Sequence, residues 1–418
     1  MAKEEEDEEP LSPMARVFQS PGVDYCAVTI LGFKTKIKPQ VVLDALKHNV
    51  SKHPRFSSKL SDNGAKWIET EVNVEDHVVV PFIDPEDIAE DGDGFVDDYI
   101  SRLTMVPLDR SRPLWDIHIL NVQTSDAEAV DPDAISTANP SMKRRETVSH
   151  GLRNKDWFQR LDTKTPLKGG ADVGSNPKRF YHRIVSLDDI KLIKNAMNMT
   201  INDVLLGVTQ ASLSRYLNRL YEKKNEVDGA LASNQNHLPG RLRFRAGCTV
   251  NLRSDIGFKP LADMMAKDSK CGWGNYFSFI ILPFSIGLQT DPLDYLKISK
   301  STMARKKHSY HAALVYLIIK IVLKVLGVKV AATLFNRPVM NITTCVSNVI
   351  GPMEEISFRG HPIAYIAPSS YGHSQTLLIH YISYGKKMII SIAVDPTVIP
   401  NPHNICDEME ESLKAMKC

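Results

Sequence analysis

The stretch 107–120, PLDRSRPLWDIHIL, most constrains the fold of this chain. Two prolines and an Asp–Arg pair are typical of a turn-rich lead-in, and residues 114–120 have the Trp and Ile content of a strand. Alternate side chains of a strand point to opposite faces, so at least one face of this strand is expected to be buried. A hairpin partner begins at 127–130 and is expected to end there, because Asp131–Pro132–Asp133 follows.

Helix and strand patterns are mixed along the rest of the chain. Ser186–Asp189 and Thr200–Asp203 have the spacing of capping boxes and predict the starts of two helices. Further strands are expected over Leu242–Val250, Thr376–Ser383 and Met388–Val394. Hairpins outnumber crossovers in this order of elements. The sequence therefore predicts an α+β fold with largely antiparallel sheets in two lobes.

Composition divides the chain into four segments. Residues 1–10 carry six acids against one Lys and are expected to form a disordered tail. Residues 11–130 form a first lobe and residues 176–418 a second lobe. Between them, residues 131–175 are rich in Pro, Ser, Asn, Lys and Arg with little periodicity, which is typical of an exposed connector.

Charge, cysteine spacing and hydropathy narrow the class of protein. A net charge of +2 gives no reason to expect a nucleic-acid partner. The six cysteines show no CxxC or metal-ligand spacing, which fits a reducing compartment and predicts neither a disulfide framework nor a metal site. The longest uninterrupted apolar run, Ala312–Ile319, has eight residues, whereas a membrane span needs about 20. No transmembrane helix is expected.

Three motifs in this order carry a resemblance to a known family. They are PLW (Pro113, Leu114, Trp115), NDVLLGVTQASL (202–213) and SNVIGP (347–352). Together with LSPMARVFQSPG near the start and SYGHSQTLLIHYISYGKKMIISIAVDP near the end, they make the chain resemble the plant-type bifunctional wax ester synthase/diacylglycerol O-acyltransferase family over residues 11–416.

The resemblance implies a fold and an activity. The fold is the two-lobed one of acyl-CoA-dependent acyltransferases related to chloramphenicol acetyltransferase. The activity is transfer of a fatty acyl group from acyl-CoA to a long-chain alcohol or to diacylglycerol, at the endoplasmic reticulum membrane. Acyl-CoA is then a substrate, and no cofactor is expected.

The chain departs from the family at its general base. An alcohol is a poor nucleophile at neutral pH, and the family removes its proton with the second His of HHxxxDG. No HH dipeptide occurs in the 418 residues, and 127–130 is followed directly by Asp131–Pro132. A second block is missing near 159–161, and the residues flanking both gaps still match the family. We therefore expect an internally truncated first lobe, no catalytic residue of the family motif, and little or no acyl transfer. The alternative is a non-catalytic lipid-binding or regulatory form that pairs with intact relatives.

The remaining candidate residues each have two interpretations. His118 could replace the missing base if Asp116, two residues earlier on the strand, orients its ring; otherwise the pair lines a sheet face. Trp115 fits a core aromatic better than a substrate contact. By the resemblance, Asn202 and Asp203 lie near the acyl-transfer channel, but a helix cap with a first-turn charge also explains Asp203. Nothing near His373 or His380 in the sequence indicates a base–nucleophile pair.

Residues 305–329 form a basic, apolar segment. It holds six Lys and Arg residues and no acid. One interpretation is an amphipathic segment lying on an anionic membrane, which would make the protein peripheral. The other is a core helix with a solvated lysine edge. The sequence leaves both open, together with the oligomeric state.

Overall fold

The computed structural model describes residues 8–20, 23, 25–88, 91–135, 161–170, 173–174, 176–227, 236–253, 275–307 and 311–417. Its strands are β1 (Glu8–Pro10), β2 (Cys26–Phe33), β3 (Ser58–Leu60), β4 (Lys66–Glu69), β5 (Val78–Val79), β6 (Trp115–His118), β7 (Ala129–Ile135), β8 (Arg179–Ser186), β9 (Phe244–Asn251), β10 (Phe277–Phe284), β11 (Thr344–Val349), β12 (Ser357–Phe358), β13 (His361–Tyr371), β14 (Leu377–Tyr384) and β15 (Lys387–Val394). Its helices are α1 (Pro13–Phe18), α2 (Pro39–Asn49), α3 (Pro85–Ile88), α4 (Gly92–Leu103), α5 (Leu187–Ala196), α6 (Ile201–Val227), α7 (Leu293–Lys307), α8 (His311–Val325), α9 (Gly327–Met340) and α10 (His403–Lys417).

Both predicted helix starts are confirmed, the second with both hydrogen bonds of a capping box. At the start of α5, the Ser186 hydroxyl accepts a hydrogen bond from the backbone N–H of Asp189 (3.1 Å). At the start of α6, the Thr200 hydroxyl accepts from the N–H of Asp203 (3.3 Å), and the Asp203 carboxylate accepts from the N–H and the hydroxyl of Thr200 (2.8 Å each). Each cap pairs a backbone donor that the first turn of a helix leaves without a partner.

The first sheet has six strands in the order β12-β13-β2-β7-β6-β5. Strand β13 pairs antiparallel with β2, from Tyr371 opposite Cys26 to Ile363 opposite Phe33. The predicted division into 11–130 and 176–418 is therefore wrong for residues 357–371, which lie in the sheet of the first lobe. The predicted disordered tail is wrong for Glu8–Pro10, which pairs with β4.

Strand β7 corrects the expectation that the hairpin partner ends at Val130. It runs to Ile135 and pairs on both sides, with β2 through Gly32 opposite Val130 and with β6 through Trp115 opposite Ile135. Strand pairing uses the backbone N–H and C=O groups, and every residue except proline has one of each. Polar side chains therefore do not prevent the pairing. The sheet therefore continues through 131–135, a part of the expected connector.

The second sheet also has six strands, in the order β10-β9-β11-β14-β15-β8. Strand β11 runs parallel to β14 and β9, and the other neighbours are antiparallel. One face packs against α5, α6, α7 and α10 in a large apolar cluster. The opposite face shares a second cluster with the first sheet, in which Leu378 and Ile389 of the second sheet meet Val28 and Ala367 of the first. This shared cluster is the junction of the two lobes.

Most of the basic, apolar segment lies in two consecutive helices. α8 ends at Val325 and α9 begins at Gly327, whose φ of 80° is a conformation that glycine adopts without a steric penalty. Both helices contact α1. Among the described residues, no single helix is both long and apolar enough to cross a membrane, whereas one bent pair, Leu293–Lys306 with His311–Val325, meets that test by length and composition.

Candidate active site

The PLW residues are packed inside the first lobe. The Trp115 side chain is 2% exposed, and its ring stacks on His77 with the centroids 4.0 Å apart. Its Nε1 donates a hydrogen bond to the carbonyl of Phe56 (3.0 Å), and Nδ1 of His77 donates to the carbonyl of Trp115 (2.6 Å). Pro113 and Leu114 are also buried. Trp115 therefore has the contacts of a core aromatic.

Asp116 and His118 each have a different partner from the one expected. The Asp116 carboxylate contacts the Arg112 guanidinium (2.9 Å) and lies 3.6 Å from Nδ1 of His77. Nδ1 of His118 contacts the Tyr99 hydroxyl (2.8 Å). Burial lowers the pKa of His118 below its usual value, and the side chain is 8% exposed. The expected orienting contact between Asp116 and His118 is absent from the described contacts, and Tyr99 holds the ring instead.

Two of the three motifs meet in the second lobe. The side-chain amide of Asn348 on β11 donates a hydrogen bond to Oδ1 of Asn202 at the start of α6 (2.7 Å). Asn202 is exposed, whereas its neighbour Asp203 is 4% exposed and bonded within the helix cap. The two residues therefore differ in role: Asp203 stabilises the start of α6, and Asn202 joins that helix to β11.

A second polar cluster lies at the lobe junction. His380 on β14 sits between two serines of β13, with Nδ1 3.4 Å from the Ser369 hydroxyl and Nε2 3.3 Å from the Ser370 hydroxyl. Burial lowers the pKa of His380 to about 4, so the ring is neutral at pH 7. His373 is buried nearby in sequence, and its ring stacks on Tyr25 (3.8 Å between centroids).

Sequence reasoning missed the serines beside His380 because it did not predict β13. The alternation of Ile363, Tyr365, Ala367 and Ser369, all buried, is the signal that could have found this strand. Within the described ranges, no three His, Cys, Asp or Glu side chains are grouped closely enough to hold a metal ion.

The two-lobed arrangement, with strands β12 and β13 of the second half in the first sheet, is shared with acyltransferase and condensation-domain folds. The wax ester synthase/diacylglycerol acyltransferase from Marinobacter aquaeolei VT8 superimposes with a TM-score of 0.59 at 15% identity, covering 98% of each chain. The EpoB cyclization-docking bidomain from Sorangium cellulosum gives a TM-score of 0.56 at 11% identity, covering 99% of this chain and 84% of that one. These likenesses show the fold.

Sequence comparisons then identify the family. Residues 273–417 match the WS/DGAT C-terminal domain. Wax ester synthase/diacylglycerol acyltransferase 7 of Arabidopsis thaliana, called relative 7 below, is 70% identical over 98% of this chain and 97% of its own length. Wax ester synthase/diacylglycerol acyltransferase 10 of the same plant is 55% identical over 100% of this chain and 98% of its own length. The chain belongs to the wax ester synthase/diacylglycerol acyltransferase family. The alignment with relative 7 spans 467 positions, 49 more than the 418 residues of this chain, which therefore lacks internal positions that the relative has.

Proposed function

We propose that this chain transfers a fatty acyl group from acyl-CoA to a long-chain alcohol or diacylglycerol, at a rate far below that of intact relatives. The observation that carries the proposal is 70% identity to a family member over 98% of the chain, combined with a sequence that has no HH dipeptide. Loss of a general base typically lowers a rate about 10²–10⁴-fold, because the attacking hydroxyl then keeps its proton.

An acyltransferase assay tests this proposal. Purified protein is given labelled palmitoyl-CoA with hexadecanol or dioleoylglycerol, and Arabidopsis relative 7 is assayed alongside. We expect wax ester formation about 10²–10⁴-fold slower than by the relative. A His118→Gln variant shows whether the residual rate depends on that imidazole. Turnover equal to that of relative 7 would contradict the reduced rate.

A non-catalytic role is the second candidate function. The observation that favours it is strand β7, which pairs on both sides although internal positions of relative 7 are missing from the chain. A folded protein that binds lipid without reacting it could pair with an intact relative and change its rate. Co-expression with relative 7 tests this: we expect the two chains to co-purify. Two separate monomers in gel filtration would rule out the pairing.

We also propose a peripheral membrane contact through helices α8 and α9. One face of α8 is packed inside the protein, since three of its side chains are buried: Ala312, Ile319 and Leu323. The outer face carries exposed large apolar side chains: Leu314, Leu317, Ile318, Ile321, Val325, Leu326, Val330 and Leu334. Such patches are unusual on monomeric proteins and favour an interaction surface. Lys320, Lys324 and Lys329 lie among them and suit an anionic headgroup layer. By its family, the expected membrane is the endoplasmic reticulum.

Liposome flotation tests the membrane contact. We expect flotation with vesicles containing phosphatidylserine and reduced flotation at high salt. The double variant Leu317→Ser/Ile321→Ser is expected to lose it. Phe82→Ser, which changes an exposed aromatic (93%) of the first lobe, serves as the matched control and should float like the parent. A fluorescent fusion spread through the cytosol in plant cells would contradict the endoplasmic reticulum assignment.

A further inference from the structure

Five neighbouring strands of the second sheet place polar residues side by side. His182 on β8 is opposite Ser391 on β15, Ser391 is opposite His380 on β14, and His380 is opposite Ser347 on β11. The Ser347 hydroxyl then contacts the Thr249 hydroxyl on β9 (2.9 Å). Paired residues of neighbouring strands share a face, so these five residues form one continuous line across the sheet. We call them the polar row.

The polar row faces the first lobe. The His182 ring stacks on Tyr365 of β13 (4.2 Å between centroids), and His380 contacts the two serines of the same strand. The same sheet face carries an apolar row on each side of the polar row. One consists of Phe180, Ala393 and Leu378, and the other of Ile184, Ile389 and Ile382. A line of hydrogen-bonding groups therefore crosses an apolar junction.

The burial of the row changes along its length. Thr249 is exposed, Ser347 and His380 are half-buried, and Ser391 is 1% exposed. At the far end His182 lies 3.2 Å from the Asp126 carboxylate, whose side chain is 40% exposed. The row therefore runs from solvent, through a buried centre, to a solvent-facing acid on the other side of the junction.

The buried centre of the row has hydrogen-bonding capacity to spare. Within the described part of the chain, the Ser391 hydroxyl has no hydrogen-bond partner, although buried hydroxyls normally have one. The His380 contacts of 3.3 and 3.4 Å are longer than the usual range of about 2.7–3.2 Å. Because Ser391 and His380 are cross-strand neighbours, one small polar group could bond to both.

We propose that the polar row binds the hydroxyl group of a long-chain lipid alcohol at His380 and Ser391, with the hydrocarbon extending toward the exposed Thr249 end of the row. The substrate class rests on the proposed function. The lipid hydroxyl donates a hydrogen bond to the unprotonated ring nitrogen of His380 and accepts a hydrogen bond from the Ser391 hydroxyl. Hydrocarbon without a hydroxyl leaves Ser391 unpaired and therefore binds more weakly.

Equilibrium dialysis of the full chain tests this site. Tritiated hexadecanol is delivered in cyclodextrin, with hexadecane, unlabelled hexadecanol or dioleoylglycerol as competitor. We expect the parent protein to prefer hexadecanol over hexadecane about tenfold, as a net hydrogen-bond gain of this kind produces. Displacement by a lipid hydroxyl supports the site. Equal competition by hexadecane and hexadecanol overturns the inference without any variant.

Variants then locate the hydroxyl contact. Ser391→Ala and His380→Leu are expected to lose most of the preference for hexadecanol while hexadecane affinity stays the same. Tyr381→Phe is the matched control, because it removes a hydroxyl from the next residue of β14 on the opposite face, where Tyr381 contacts Thr209 (2.7 Å). An unchanged preference in folded Ser391→Ala and His380→Leu proteins overturns the assignment.

Acyl transfer is measured on the same preparations. A hydroxyl preference without wax ester formation supports the binding site while the proposed transfer activity fails. Wax ester formation without a hydroxyl preference in dialysis overturns the binding site and leaves the proposed transfer activity standing. The two conclusions can therefore fail independently.

Discussion

The two faces of the second sheet are built from alternate residues of the same strands, yet they differ in kind. On the face toward the helices, Leu377, Ile379 and Ile390 are at most 2% exposed and pack in the larger apolar cluster. On the face toward the first lobe, the polar row crosses between two apolar rows. The difference indicates that one face supplies stability and that the other, at a cost in stability, supplies hydrogen-bonding groups at the lobe junction.

Ile390→Ala should have the largest effect on the helix-facing side. Its side chain is 2% exposed, and truncating such a residue lowers the free energy of unfolding by about 2–5 kcal/mol through lost burial and a cavity. Urea denaturation followed by circular dichroism measures it. Ile390→Val, which removes one methylene group, should lower it by only about 0.5–1.5 kcal/mol. A loss below about 1 kcal/mol in Ile390→Ala would contradict the assignment of stability to this face.

The junction face should make stability depend on pH. Burial lowers the pKa of His380 from 6.5 to about 4 and that of His373, to which His380 and Lys178 contribute repulsion, to about 3. Well above pH 6.5 these rings are neutral in both the folded and the unfolded chain. As the pH falls from 6.5 toward 4, the unfolded chain binds protons that the folded chain excludes, so stability is lost by up to about 1.4 kcal/mol per pH unit for each histidine.

His380→Gln isolates the contribution of one ring to this pH dependence. The variant should lose stability less steeply than the parent between pH 6.5 and 4, because it takes up one proton fewer on unfolding. Urea denaturation of both proteins at pH 7, 6 and 5 measures the difference. Parallel stability curves would show that His380 titrates in the folded protein as it does in the unfolded chain.

Ser391→Ala makes the direct contrast with its neighbour Ile390. The Ser391 hydroxyl is buried with no partner among the described residues, so its removal should leave the free energy of unfolding unchanged or raise it by up to about 1 kcal/mol. The same denaturation experiment measures it without added lipid. A loss of more than about 2 kcal/mol would mean that the hydroxyl is satisfied within the protein.

The Asn202–Asn348 contact should have the smallest effect on stability. Because Asn202 is exposed, Asn202→Ala and Asn348→Ala should each change the free energy of unfolding by less than about 0.5 kcal/mol. A double-mutant cycle measures the coupling between them. Asp203→Ala is the matched control on the same helix start and should lower stability by about 0.5–2 kcal/mol through loss of the cap. Equal losses of stability in Asn202→Ala and Asp203→Ala would contradict the different roles assigned to the two residues.

Local patterns in the sequence were sufficient for the elements that depend on local contacts. The Thr200–Asp203 box predicted the start of α6 because its partners are three residues apart. Apolar, β-branched runs on either side of the turn at Gly385 predicted β14 and β15 within one or two residues, because a hairpin forms between segments that are neighbours in sequence. The resemblance, carried by PLW, the Asn202 motif and the Ser347 motif, predicted the two-lobed fold, which the solved structures confirm.

Only the tertiary structure decided how distant segments pair. It placed β13 in the first sheet and extended β7 through Asp131–Pro132–Asp133. It showed that the ring of His118 contacts the Tyr99 hydroxyl. It also aligned four residues of neighbouring strands in one row: His182, Ser391, His380 and Ser347. The reason is physical. Backbone ladders accept almost any side chain, and the register between strands is set by the packing of whole sheets, so residues up to 209 positions apart, His182 and Ser391, become neighbours without any local pattern that marks them.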